Sequence, residues 1–229
     1  MKQYHFNNIS TLASAAFDKF KAALETLSTQ PQIIIALSGG SSVEPLYQQI
    51  AKRYNEIPLS LWQKVIFCFA DERLVPLDSP DSNYKAACDS FLNTLIAEHV
   101  IATEAVATVN SESKTAHMEY TAKVGNKIDI ALLGVGPDSH TCSLFPRHSS
   151  TDNPSEAYIL VEDSPKPPAR RISMSRSTVE NTGSVFVFFI GEGKRDAYNN
   201  FMDETVKIED APIKISCQAP ECLMFSDLI

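Results

Sequence analysis

Four short apolar runs constrain how this chain can fold more than any other feature. Residues 32–37, 65–70, 128–133 and 185–190 are dominated by Ile, Val, Leu, Phe and Ala. They lack the apolar–polar alternation of a half-solvated strand, so they read as strands buried on both faces, the pattern of a parallel sheet. Each ends in a polar or glycine-rich cluster, and helix-like spacing follows at 43–54, near 84–98 and at 194–202. Pro45 lies in the first turn of the helix over 43–54, where it is tolerated. A further amphipathic stretch, with Ser10 as its expected cap, places Leu12, Ala16, Phe17, Phe20, Ala23, Leu24 and Leu27 on one face. Strands alternating with helices require right-handed crossovers. The expected fold is therefore α/β: a mostly parallel, Rossmann-like sheet flanked by helices on both faces. The proline-rich segment 164–168 is expected to be a rigid loop within one domain, followed by strand-like residues 171–174. The expected domain is the whole of 1–229.

Composition narrows the function classes. The 20 Lys and Arg residues stand against 28 Asp and Glu, a net charge of −8. A protein that binds nucleic acid over its surface would be basic, so no nucleic-acid partner is expected. No apolar run approaches the roughly 18 residues that span a bilayer, and residues 1–8 carry no apolar stretch of a secretory signal. The five cysteines include no C-x-x-C pair, which argues against a zinc ribbon. A cytoplasmic, reduced protein is expected, monomeric, with a small homo-oligomer left open.

Open parallel sheets bind ligands beyond the carboxyl ends of their strands. Here those ends carry Ser38, Gly39, Gly40, Ser41 and Ser42; then Asp71, Glu72 and Arg73; then Gly134 to Thr141; then Gly191, Gly193, Lys194 and Arg195. The turn 38–42 opens a helix, where backbone N–H groups attract anions. It carries no Lys after its glycines and is not G-x-G-x-x-G, so a small phosphate monoester suits it better than a nucleotide. Arg73 supplies a planar fork of donors for phosphate, and Lys194 is preferred over Arg195 as a second cation. His140 is the candidate general base, with Asp138 placed to orient its ring. Ser139 or Ser143 could complete a Ser-His-Asp arrangement, but the chain has no G-x-S-x-G elbow. One His and one Asp at this spacing make a weak metal site.

Taken together, these segments resemble the 6-phosphogluconolactonases of the glucosamine-phosphate isomerase-like superfamily. The resemblance rests on 38–41, 70–76, 82–84, 129–146, 164–168 with 171–173, and 191–194, in that order along the chain. It implies hydrolysis of 6-phospho-D-glucono-1,5-lactone without a metal or organic cofactor, with a phosphorylated sugar lactone as the small-molecule partner. It further implies His140 as the base that activates water, and Asp138 and Gly136 bordering the lactone. Arg73, Lys194 and the turn Gly39, Gly40, Ser41 and Ser42 would hold the phosphate, with Asp71 and Arg171 as further substrate-binding candidates. Arg170, beside Arg171, is the competing guanidinium.

Ser139 departs from the pattern, which has Gly between the Asp and the His. If that position needs a left-handed backbone, Ser costs about 1 kcal/mol or more. Two rivals remain. A glucosamine-6-phosphate deaminase shares the fold, but its Asn-Glu-Pro ending is replaced here by Leu144, Phe145 and Pro146. A sugar-phosphate-binding protein that has lost catalysis is the other, with Ser139 as the damaging change.

Overall fold

The computed structural model describes residues 1–228. Nine strands, β1 (Lys2–His5), β2 (Ile33–Leu37), β3 (Val65–Phe69), β4 (Asp71–Arg73), β5 (Ile130–Gly134), β6 (Tyr158–Val161), β7 (Arg171–Met174), β8 (Ser184–Phe189) and β9 (Glu221–Ser226), form two sheets. The larger has the order β1-β9-β8-β5-β2-β3 and every pairing in it is parallel. The smaller, β4-β7-β6, is antiparallel. The helices are α1 (Ile9–Thr26), α2 (Glu44–Arg53), α3 (Leu59–Trp62), α4 (Asn83–Ala87), α5 (Asn93–Ala97), α6 (Ala116–Val124), α7 (Arg176–Glu180) and α8 (Arg195–Met202).

The four apolar runs are the centre of the large sheet, and their side chains divide between two cores. Ile33, Ile35 and Leu37 of β2 join Phe67, Ile130, Leu132, Phe186 and Phe188 on one face. Ile34 and Ala36 join Cys68, Ala131, Leu133, Val185 and Val187 on the other. A strand with no solvent face has no reason to alternate polarity. Burying each large aliphatic or aromatic side chain contributes about 1.5–3 kcal/mol.

Three expectations need correction. The cap of α1 is Asn8, whose side chain accepts from Ser10 N–H at 2.7 Å and Thr11 N–H at 3.2 Å, not Ser10 itself. The helix near 84–98 is interrupted by a π-type turn over Cys88–Leu92 between α4 and α5. Residues 71–73 are not a rim turn after β3: they form β4, which crosses into the second sheet and pairs with β7.

This topology fixes where a ligand can sit. From β2 the chain continues to β3 on one side, while β5 packs against the other side of β2. The order of the sheet therefore reverses at β2 and β5, and loops leaving their carboxyl ends diverge and leave a crevice.

Candidate active site

The loops after β2 and β5 meet in that crevice, a cleft of about 200 Å³. Its walls include Ser38 to Ser42, Asp71, Arg73, Gly136, His140, Arg171 and Lys194. Every sequence-predicted site residue except Asp138 lines it directly, and Asp138 touches His140.

The loop after β5 is a tight turn. Ser139 N–H donates to Gly136 C=O at 3.0 Å, and Gly136 N–H to His140 C=O at 2.9 Å. Ser139 has φ +69°, the left-handed backbone that disfavours a side chain. The position is held by neighbours: Ser139 is fully buried, its Oγ accepts from Asn200 Nδ2 at 3.2 Å, and its C=O accepts from Ile213 N–H at 3.0 Å. The turn brings Asp138 Oδ1 to 2.5 Å from His140 Nδ1. The imidazole rests against Phe145, with ring centroids 4.8 Å apart.

Lys166 was not singled out by its residue type or spacing. It stands on the proline-rich loop with its Nζ 2.8 Å from Asp138 Oδ2 and 3.3 Å from His140 Nδ1. Burial is the largest influence on Asp138 and works to raise its carboxyl. The hydrogen bonds from His140 and Lys166, with their charges, outweigh it and hold the carboxyl well below the usual range.

Neither serine completes a nucleophilic triad in this geometry. Ser143 Oγ donates to Asp71 Oδ2 at 2.7 Å, and Ser139 Oγ is engaged with Asn200. Cys142 lines the cleft, but burial, reinforced by the charge of Asp71, pushes its thiol far up, so it is not a thiolate at neutral pH.

The opposite side of the cleft is cationic and rich in hydroxyl groups. Ser38 Oγ, Ser42 Oγ and Arg73 Nε are buried without a hydrogen-bond partner, an unusual state for native polar groups. Arg73 Nη1 donates to Asp81 C=O at 2.7 Å, which fixes its direction. Burial, then the charge of Lys166, depresses the Lys194 ammonium, while Asp138 supports it. Gly40 has φ +95°, and a Cβ on Gly39 would lie 2.0 Å from Asn83 Oδ1. The turn therefore needs both glycines.

Asp71 and Arg171 border the cleft with their polar atoms already committed. Besides Ser143, Asp71 accepts from Asn83 Nδ2 at 3.1 Å. Arg171 donates to the carbonyls of Lys166, Pro167 and Pro168 at 2.8–3.1 Å, and its Nη1 lies 3.8 Å from Asp71 Oδ2. Of the adjacent arginines it is Arg171 that reaches the cleft, while Arg170 lies near Glu162 on the surface. Glu72, beside Asp71, is buried as an anchor. It accepts from the N–H groups of Arg73, Asn83 and Tyr84 at 2.7–2.8 Å and from Ser82 Oγ at 3.1 Å.

Comparison with known proteins shows the family and fold to which the chain is similar. A family model described as glucosamine-6-phosphate isomerases/6-phosphogluconolactonase matches residues 7–223. A probable 6-phosphogluconolactonase of Schizosaccharomyces pombe is 36% identical over 216 residues, covering 86% of this chain and 81% of that one. The chloroplastic 6-phosphogluconolactonase 3 of Arabidopsis thaliana is 32% identical over 193 residues, 77% of this chain. The match spans 58% of that relative's length. Among solved structures, 6-phosphogluconolactonase from Thermotoga maritima superposes with a TM-score of 0.82 at 22% identity, covering 98% of each chain. A monomeric glucosamine-6-phosphate deaminase superposes with a TM-score of 0.75 at 17% identity, covering 99% of this chain and 97% of that one. At such identities the superpositions speak for the fold alone, which is the α/β fold expected from the sequence.

Proposed function

The chain belongs to the family of glucosamine-6-phosphate isomerases and 6-phosphogluconolactonases, and from that membership we propose that it hydrolyses 6-phospho-D-glucono-1,5-lactone to 6-phosphogluconate. One observation carries the reading: His140, held from behind by Asp138, faces the same cleft as Arg73, Lys194 and the unpartnered hydroxyls of Ser38 and Ser42. A base and an anion grip in one small cleft suit a phosphorylated ester-like substrate.

The chemistry needs no covalent enzyme intermediate. With Nδ1 committed to Asp138, His140 Nε2 takes a proton as water adds to the lactone carbonyl carbon. The tetrahedral intermediate collapses by breaking the bond to the ring oxygen. That oxygen receives the proton back from the imidazolium and becomes the free hydroxyl of the open acid. Arg73, Lys194 and the turn 39–42 grip the phosphate and hold the ring so that water meets the carbonyl at a near-attack distance.

Five free thiols fit the reducing cytoplasm. Among the described residues no helix is long and apolar enough to cross a membrane. Leu144 and Phe145 are buried and apolar where a deaminase would carry its acidic residue, which disfavours the deaminase reading.

The test is to add purified protein to freshly made 6-phosphogluconolactone and follow the 6-phosphogluconate released. Release well above the spontaneous rate, and much slower hydrolysis of unphosphorylated gluconolactone, is the expected result. A rate equal to the no-protein control contradicts the proposal.

A further inference from the structure

The His140–Asp138 pair has a third member whose role the anion grip does not account for. Lys166 Nζ approaches Asp138 Oδ2 at 2.8 Å, so the carboxylate divides its two oxygens between an ammonium and an imidazole. The same Nζ lies 3.3 Å from His140 Nδ1, close enough to oppose a positive charge on that ring. The lysine is not held there by chance packing. Arg171 draws in three consecutive carbonyls of its loop, those of Lys166, Pro167 and Pro168. Ser164 Oγ donates to Lys166 C=O at 2.9 Å and accepts from Lys166 N–H at 3.2 Å. These anchors are main-chain contacts, so the Lys166 side chain can be changed while the loop keeps its path.

We infer that Lys166 is a positioning residue for the proposed reaction: it fixes the Asp138 carboxylate against His140 and biases the imidazole toward its neutral, proton-accepting form. The reasoning follows from charge. An aspartate alone beside Nδ1 favours imidazolium and would make the base a poor proton acceptor at mildly acidic pH. An ammonium on the other carboxylate oxygen offsets that field while the hydrogen bond that aims the ring is kept. The other charged groups lining the cleft with His140 are Asp71, Arg73, Arg171 and Lys194; Lys194 interacts with both Lys166 and Asp138, and the Arg171 guanidinium lies 5.6 Å from the Phe145 ring. His148 meets that Phe145 ring edge-on at 5.9 Å. His140 Nδ1 itself is met by Asp138 Oδ1 and by Lys166 Nζ.

The inference rests on the lactonase reading for its kinetic consequence but not for its physical one, so two readouts separate them. In the full chain, Lys166→Met is expected to raise the midpoint of the His140 imidazole titration by about half to one pH unit, followed by NMR without substrate. The acid limb of kcat/KM for lactone hydrolysis should move in the same direction. The loss should fall on kcat more than on KM and fade toward alkaline pH. Lys166→Arg, which keeps the charge, should restore most of both. His140 titrating at its wild-type midpoint in Lys166→Met overturns the inference. Wild-type protein that fails to hydrolyse the lactone overturns the functional reading and leaves the NMR test standing.

Discussion

Gly136 and His140 share a space that admits no Cβ. A carbon added at position 136 would lie 2.0 Å from His140 Nδ1 and 2.5 Å from Asp138 Oδ1. The absence of a side chain at Gly136 is what lets the ring and the carboxylate meet inside a turn of five residues.

Gly136→Ala is therefore expected to separate His140 from Asp138 while leaving the sheet intact. The predicted loss in kcat is on the order of 10²-fold, with far-UV circular dichroism unchanged. A variant with wild-type kcat would show that the close pair is not what the reaction uses.

Glu72 offers a stability test away from the chemistry. Burial pushes its carboxyl upward, while the N–H groups of Asn83, Tyr84 and Arg73 pull against that. Glu72→Ala strands these donors and the Ser82 hydroxyl in a buried place, at a cost of about 2–4 kcal/mol. A chemical denaturation midpoint close to wild type would contradict the role given to Glu72 as the anchor of α4.

Lys194 should make phosphate binding sensitive to alkaline pH. Burial and the charge of Lys166 lower its ammonium from the ordinary lysine value. The cation is present below that lowered value and is lost as pH rises through it, earlier than for an exposed lysine. KM for the phosphorylated substrate should climb on the alkaline side, and Lys194→Arg should flatten the climb, because a guanidinium keeps its proton. An alkaline KM profile unaltered by Lys194→Arg would remove Lys194 from the phosphate grip.

Ser139 is expected to be tolerated, contrary to its place as the damaging change in a protein that has lost catalysis. Replacing it with Gly relieves about 1 kcal/mol of left-handed strain and forfeits a hydrogen bond from Asn200 worth about 0.5–1.5 kcal/mol. Ser139→Gly should shift stability by less than about 1 kcal/mol and leave kcat nearly unchanged. A large gain in kcat would mean that Ser139 does distort the His140 turn.

The sequence disclosed the parts of the molecule whose physics is local. Residues 33–37 and 185–189 are buried on both sides, so they carry an unbroken apolar pattern that nothing but a central strand requires. Gly39 and Gly136 stood out as residues at strand ends, but the neighbours that require glycine there, Asn83 and His140, come from side chains that spacing does not show. What stayed hidden depends on distant partners. Asp71, Glu72 and Arg73 read as rim residues after the second apolar run, and it is pairing with β7 that makes them a strand, with Ser82, Asn83, Tyr84 and Ser143 engaging the carboxylates. Lys166 sits in a proline-rich stretch with no periodicity, and its approach to Asp138 depends on Arg171 gathering the loop. The commitment of Arg171 to backbone carbonyls was equally out of reach of spacing arguments. Asn8 displaced Ser10 as a cap because helix ends are decided within a residue or two.

The central claim is that His140 activates water on a phosphorylated lactone held by the cleft. It is tested most directly by the rate of 6-phosphogluconate release catalysed by His140→Ala beside wild type. The account predicts that kcat falls by about 10²-fold or more while the affinity for 6-phosphogluconate as a product inhibitor is largely kept. A variant that turns over at the wild-type rate would contradict it.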